Sequence, residues 1–179
     1  MTTFTGNSPQ KTFSASSKAS VGVLSGFAIC LLAGGLVWAV DAWLRLPLHL
    51  PGWRGLFVMA ILVGARAFTR LPWAASATAC SAAALAFAAG DIDPRGVVIY
   101  LLPGLVIDFL GLFGPAWRNS PLGLGLGAGI ANAVRFLGVL AFGAGFHGAG
   151  LLMPLSSHFL FGLIGGVLAG VLSMARRGK

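Results

Sequence analysis

Residues 96–114 read GVVIYLLPGLVIDFLGLFG, and residues 122–146 read LGLGLGAGIANAVRFLGVLAFGAGF. Both runs are apolar enough for hydrocarbon, yet the first carries Asp108 and the second carries Asn132 and Arg135. A third run, residues 151–175, carries His158. About 20 apolar residues span a bilayer as a helix. The three runs therefore predict membrane helices, and the fold class follows: an all-α integral membrane protein. Ionisable groups at bilayer depth are costly and normally face a partner, a cavity or a ligand. The same four side chains thus locate the candidate function.

Composition points the same way. The 179 residues are 57% hydrophobic and 9% charged, with mean hydropathy +0.90, whereas a soluble domain carries about 25% charged residues. No room is left for a separate soluble domain. A net charge of +8 would suit nucleic acid, but the cations sit at the ends of apolar runs, where membrane topology puts them. Cys30 and Cys80 lie in apolar runs and are too few for a disulfide framework or a metal cluster. They read as small packing residues.

Taken in order, residues 1–18 are Ser/Thr-rich and predict a disordered cytoplasmic tail. The apolar run after Lys18 is too long for a signal-peptide core, so no cleavable signal is expected. Six transmembrane helices are predicted within residues 19–175: 19–40, 55–69, 71–90, 96–114, 122–146 and 151–175, followed by a basic tail, 176–179. The second is short, so Arg66 must snorkel or find a partner. The third is mostly Ala, Ser and Thr, which suits close packing inside a bundle. Pro103 removes a backbone hydrogen bond from the fourth and is expected to bend it. Residues 47–53, 91–95, 115–121 and 147–150 read as connections.

An even number of helices puts both termini on one side. Lys11, Lys18, Arg66, Arg70, Arg118, Arg176, Arg177 and Lys179 fall on that side, and Arg45, Arg54 and Arg95 on the other, with Arg135 inside. Cytoplasmic loops are enriched in Lys and Arg, so both termini are expected in the cytoplasm. Asp41, Asp91 and Asp93 fall on the external side.

Tyr100, Gly104 and Asp108 recur every four residues and share a helix face. Asn132 and Arg135 share another. A short turn joins these helices, so an Asp108–Arg135 ion pair is geometrically allowed and would reduce the cost of burying either charge. With His158 these residues either line a cavity open to the outside or form a satisfied internal network that only fixes packing. One acid, one base, an amide and an imidazole suit a small heteroaromatic or zwitterionic solute. Trp43, Trp53 and Tyr100 lie near the external side, where they either stack on a ring or, for the two tryptophans, form an interfacial belt.

His49, His147 and His158 lie on three separate elements, so no metal site is expected. The Gly123–Gly127 stretch lacks the preceding strand and the Lys-Ser/Thr of a nucleotide site. No catalytic motif stands out, so neither enzyme activity nor a cofactor is expected. Gly22, Gly26, Cys30 and Gly34 recur every four residues on the first helix, and Gly162, Gly166 and Gly170 do so on the sixth. Such stripes let a second helix approach closely, either within the bundle or from a partner.

Two stretches carry a resemblance: Tyr100-Leu-Leu-Pro-Gly-Leu-Val-Ile-Asp108, and Pro154-Leu-Ser-Ser-His158 followed by Gly162, Gly165 and Gly166. With six short Gly/Ala-rich helices and cytoplasmic termini, residues 19–175 resemble the S component of energy-coupling-factor transporters. These are small subunits of ABC importers in the bacterial cytoplasmic (inner) membrane that capture vitamins and related nutrients. The resemblance implies a substrate site near the external face, built by the later helices and external loops, and the candidates there are Tyr100, Asp108, Asn132, Arg135 and His158. It also implies association with a transmembrane T component and two cytoplasmic ATPases. Family members touch the T component through an Ala-x3-Ala-x3-Ala stripe on helix 1, and here Gly22, Gly26, Cys30 and Gly34 occupy that spacing with Gly for Ala. Motifs of the biotin, riboflavin and cobalt branches are absent from the sequence. The alternative is a scaffold subunit of a cell-envelope assembly, with a dry interior and mutually paired charges.

Overall fold

Proline and small polar residues punctuate the chain, and helices fill the intervals. The structure, a computed structural model, describes residues 10–44, 51–69, 71–142 and 149–177. Its elements are α1 (Gln10–Trp43), α2 (Arg54–Phe68), α3 (Ala74–Ala88), α4 (Pro94–Leu110), a short α5 (Pro115–Asn119), α6 (Pro121–Phe142) and α7 (Leu152–Arg177). One-turn 3₁₀ segments at Gly111–Phe113 and Ala149–Leu151 complete it. Pro94, Pro115 and Pro121 each open a helix, where a missing N–H costs nothing. Asp93 caps α4 by accepting a 2.8 Å bond from the Gly96 N–H, and Ser120 caps α6 by accepting 2.9 Å from Gly123.

All six predicted helices are present, with shifted ends. α1 starts at Gln10, so residues 10–18 of the expected tail are helical. Neither Pro nor Gly interrupts them. α4 ends at Leu110 rather than at 114. Its chain tightens into the 3₁₀ turn and then reverses at Gly114, whose φ of +133° is open to glycine and not to other residues. Pro103 is accommodated without ending α4. Four helices, Gly22–Trp43, Pro94–Phe113, Pro121–Phe142 and Leu152–Arg176, are long and apolar enough to cross a membrane. They mark a membrane protein. α3 is apolar but shorter, and α2 has 15 residues. His49, His147, Arg45, Arg70 and residues 143–146 lie outside the described residues.

The helices close a ring in the order α1, α3, α4, α6, α7, α2, with α2 also touching α3, α4 and α6 from inside. Met59, Leu62, Val63 and Val58 of α2 are at most 2% exposed and anchor the core. Small residues set the spacing. A Cβ at Gly165 would collide with the Leu56 carbonyl, which brings α7 against α2. One at Gly166 would meet Ala128 at 2.6 Å, which brings α7 against α6. The sixth-helix stripe thus works inside the bundle. So does most of the first-helix stripe: Gly26 lies over Leu71, Gly34 lies over Ser81 and the Thr78 carbonyl, and Cys30 is 1% exposed. Gly22 alone of the four has open space around it.

The α1 N-terminal half lies near Leu71, and Arg176 of α7 lies 5.4 Å over the Phe68 ring. This is the terminal end of the bundle. The opposite, distal end carries the last turn of α1, the start of α2 and the α3–α4 turn, where the Trp38 indole donates 2.7 Å to Asp91.

At the terminal end Arg66 of α2 pairs with Asp108 of α4 and also donates 3.1 Å to the Ile107 carbonyl. The second Asp108 oxygen accepts 2.7 Å from the Ser76 N–H in the first turn of α3. One carboxylate therefore neutralises a buried cation and satisfies a helix N-terminus, where the dipole favours negative charge. Three helices are tied at one point. Asp108→Asn should leave Arg66 uncompensated and destabilise the fold by about 3–5 kcal/mol, with Arg66→Met/Asp108→Leu recovering much of it. Thermal unfolding in detergent measures both.

Candidate functional site

At the distal end a cleft of about 390 Å³ opens between α1, α2, α6 and α7, lined by Asp41, Gly52, Trp53, Arg54, Gly55, Asn132, Arg135, Phe136, Val139 and His158. Three of the five predicted substrate residues meet there: Asn132, Arg135 and His158. Tyr100 stands behind them, its ring 5.4 Å beneath the Arg135 guanidinium. Asp108 is elsewhere, paired with Arg66 at the terminal end. Tyr100 and Asp108 share a face, but eight residues separate them by about 12 Å along the axis.

The expected Asp108–Arg135 pair is thus replaced by two others. Because α4 stops at Leu110, Asp108 sits in its last turn and not at its middle. Arg135 is the fifteenth of 22 residues in α6 and lies toward the distal end. Its partner is Asp41, at 2.6 Å, with side chains 17% and 11% exposed. The sequence reading put Asp41 at the outer interface. α1 instead continues to Trp43, and Asp41 follows Gly34 and Val37 on its inward face. Arg54 donates 3.1 Å to the Asp41 carbonyl and stabilises this corner.

Asn132 is 1% exposed. Its Nδ2 donates 2.7 Å to the His158 carbonyl, while its Oδ1 has no partner among the described residues. The His158 ring stacks on Phe136, with centroids 4.7 Å apart and planes inclined by 25°, and its buried Nδ1 also lacks a partner. An unpaired buried polar atom costs about 1–3 kcal/mol, so two of them in one cleft are an unmet demand for hydrogen bonds. The two orphans, the stacked ring and the adjoining Arg135–Asp41 pair can together hold a small planar molecule with polar edges.

The turn at residues 51–53 forms one wall. Gly52 has φ +82°, and a Cβ there would lie 2.7 Å from the His158 ring. The Ser157 hydroxyl donates 2.9 Å to the Pro51 carbonyl and fastens this turn to α7. Trp53 is 8% exposed and packs edge-on against Phe57 at 6.3 Å. It belongs to the cleft and not to an interfacial belt. Trp43, 72% exposed, suits the belt. Asp41, Arg54 and Phe136 are cleft residues that the sequence did not single out for the site, whereas Trp53 is one of its ring-stacking candidates. Only Asp41 left a signal, as the inward continuation of the first-helix stripe. The described residues bring no three metal ligands together.

No protein-family model, curated protein or solved structure matches the chain.

Gly55 is the residue that gives Asn132 its room, since a Cβ there would collide with the amide. Gly55→Ala should cost about 1–3 kcal/mol by overpacking and displace Asn132. Unfolding scans read the loss, which should exceed that of Gly22→Ala, where nothing lies within 4 Å.

Proposed function

We propose that this chain is a substrate-capture subunit of a membrane importer, of the S-component type, which takes a small heteroaromatic or zwitterionic nutrient into the distal cleft. The observation that carries the reading is the pair of buried, unsatisfied polar atoms, Asn132 Oδ1 and His158 Nδ1, on two residues that line a cleft of ligand size. Ligand pockets commonly measure about 300–1,000 Å³ and combine apolar walls with a few placed polar groups. A bound solute supplies the missing hydrogen bonds, stacks beside Phe136 and Trp53, and meets either charge of the Arg135–Asp41 pair at the rim.

In this reading the chain crosses the bacterial inner membrane six times, with both termini in the cytoplasm and the cleft facing out. The distribution of Lys and Arg supports that orientation. Energy then comes from partners, a transmembrane T component and cytoplasmic ATPases. The first-helix stripe is largely occupied by α3, so a T component has to use other surface, such as the exposed Leu24, Leu31 and Leu32 face of α1.

The scaffold reading has one observation in its favour: both internal cations, Arg66 and Arg135, are already paired within the chain. Native mass spectrometry of gently purified protein separates the two. Capture predicts a retained small molecule that Arg135→Ala weakens about tenfold or more, as for loss of a charged hydrogen bond worth about 1.5–3 kcal/mol. It also predicts recovery of an ATPase pair with the chain. A folded chain that carries no solute and brings down partners without ATPases supports the scaffold.

A further inference from the structure

The terminal end holds a second cavity, of about 370 Å³, between the end of α2, the α2–α3 connection and the α5–α6 corner. Arg66, Thr69, Arg118 and Leu124 line it, and no acid does. Arg66 is neutralised from behind by Asp108. Arg118 stands near enough to Arg66 for their charges to repel, and is itself exposed. The Thr69 hydroxyl is buried and has no hydrogen-bond partner among the described residues. The glycine hinge at Gly114 and the one-and-a-half-turn α5 bring Arg118 to this position. The cavity thus gathers a surplus cation, Arg118, beside a guanidinium already neutralised by Asp108 and an unpartnered hydroxyl, with no acid lining it among the described residues.

We infer that this cavity binds a phosphate-bearing anion, either a phospholipid headgroup or a soluble phosphate compound, through Arg118 and Thr69, beside the paired Arg66. A guanidinium fork and a hydroxyl match the oxygens of a tetrahedral oxyanion. The volume exceeds that of a bare phosphate and leaves space for an attached glycerol or sugar. Basic pockets between membrane helices on the cationic side suit anionic headgroups. The site is at the opposite end from the distal cleft, and it stands whether or not that cleft captures a nutrient.

The test uses the full chain in phosphatidylcholine nanodiscs doped with phosphatidylglycerol, with retained lipid read by native mass spectrometry. Selective retention of phosphatidylglycerol is expected. Arg118→Gln should reduce it about five-fold, the effect of one basic residue near an anionic surface. Thr69→Val should reduce it too, whereas Arg95→Gln, an exposed cation at the other end, should not. A parallel titration with inorganic phosphate in lipid-depleted detergent, at constant ionic strength, distinguishes the sources. A rise in melting temperature that Arg118→Gln abolishes assigns the cavity to a soluble phosphate compound. Equal effects of Arg118→Gln and Arg95→Gln overturn the inference, as does indifference of both lipid and phosphate binding to Arg118→Gln and Thr69→Val.

Discussion

The bundle depends on the way Asp108 divides its two oxygens. One meets the Arg66 guanidinium and the other the Ser76 amide at the start of α3. Without the first contact, α2 would bring an uncompensated cation into the core. Without the second, the first turn of α3 would lose a hydrogen bond where water has little access. α2 closes the ring between α7 and α1 and touches every other long helix, so fixing its terminal end fixes the register of the whole. Its distal end is fixed separately, by Arg54 on the Asp41 carbonyl and by the α2 entry turn held to α7 through Ser157.

The two ends are satisfied to different degrees. At the terminal end the carboxylate has found partners for both oxygens. At the distal end the charges pair as well, but Asn132 Oδ1 and His158 Nδ1 remain unmet beside them. Native interiors leave few buried polar groups unpaired, and each exception asks for an explanation. Gly52 and Gly55 sharpen the point. The chain there gives up side chains in order to lie directly on His158 and Asn132, a packing that holds both in place without satisfying them. That packing is what the capture reading proposed above requires, since positions held in advance lower the cost of binding a ligand.

Much of this was legible in the residues. Apolar runs between proline-marked turns gave six helices in their right places, and the rarity of polar groups within them pointed to Asn132, Arg135 and His158. The pairing of charges was not legible, because it depends on depth along each helix. A four-residue overestimate of the end of α4 moved Asp108 from the last turn to the middle and assigned it the wrong arginine. The first-helix stripe showed where a helix would come close but not which one, since glycine spacing is the same for an internal neighbour and a foreign one. Phe136 gave no signal at all: an aromatic residue within an apolar run is common, and only the tertiary arrangement turns this one toward a cleft.

α3 has a consequence for the surrounding lipid. Its 15 residues rise only about 22 Å, against roughly 30 Å of hydrocarbon in an ordinary bilayer. It occupies a place in the ring between α1 and α4, and its Leu85 and Phe87 are exposed. In the six-crossing reading proposed above, the acyl chains along that flank compress or splay to match it, at an elastic cost of fractions of a kcal/mol per Å of mismatch. In that reading bilayer thickness acts on this molecule most directly along the α3 flank. A thinner membrane, or a neighbour as short as α3, relieves the deformation, and either would bias where the chain settles and how it orients toward its companions.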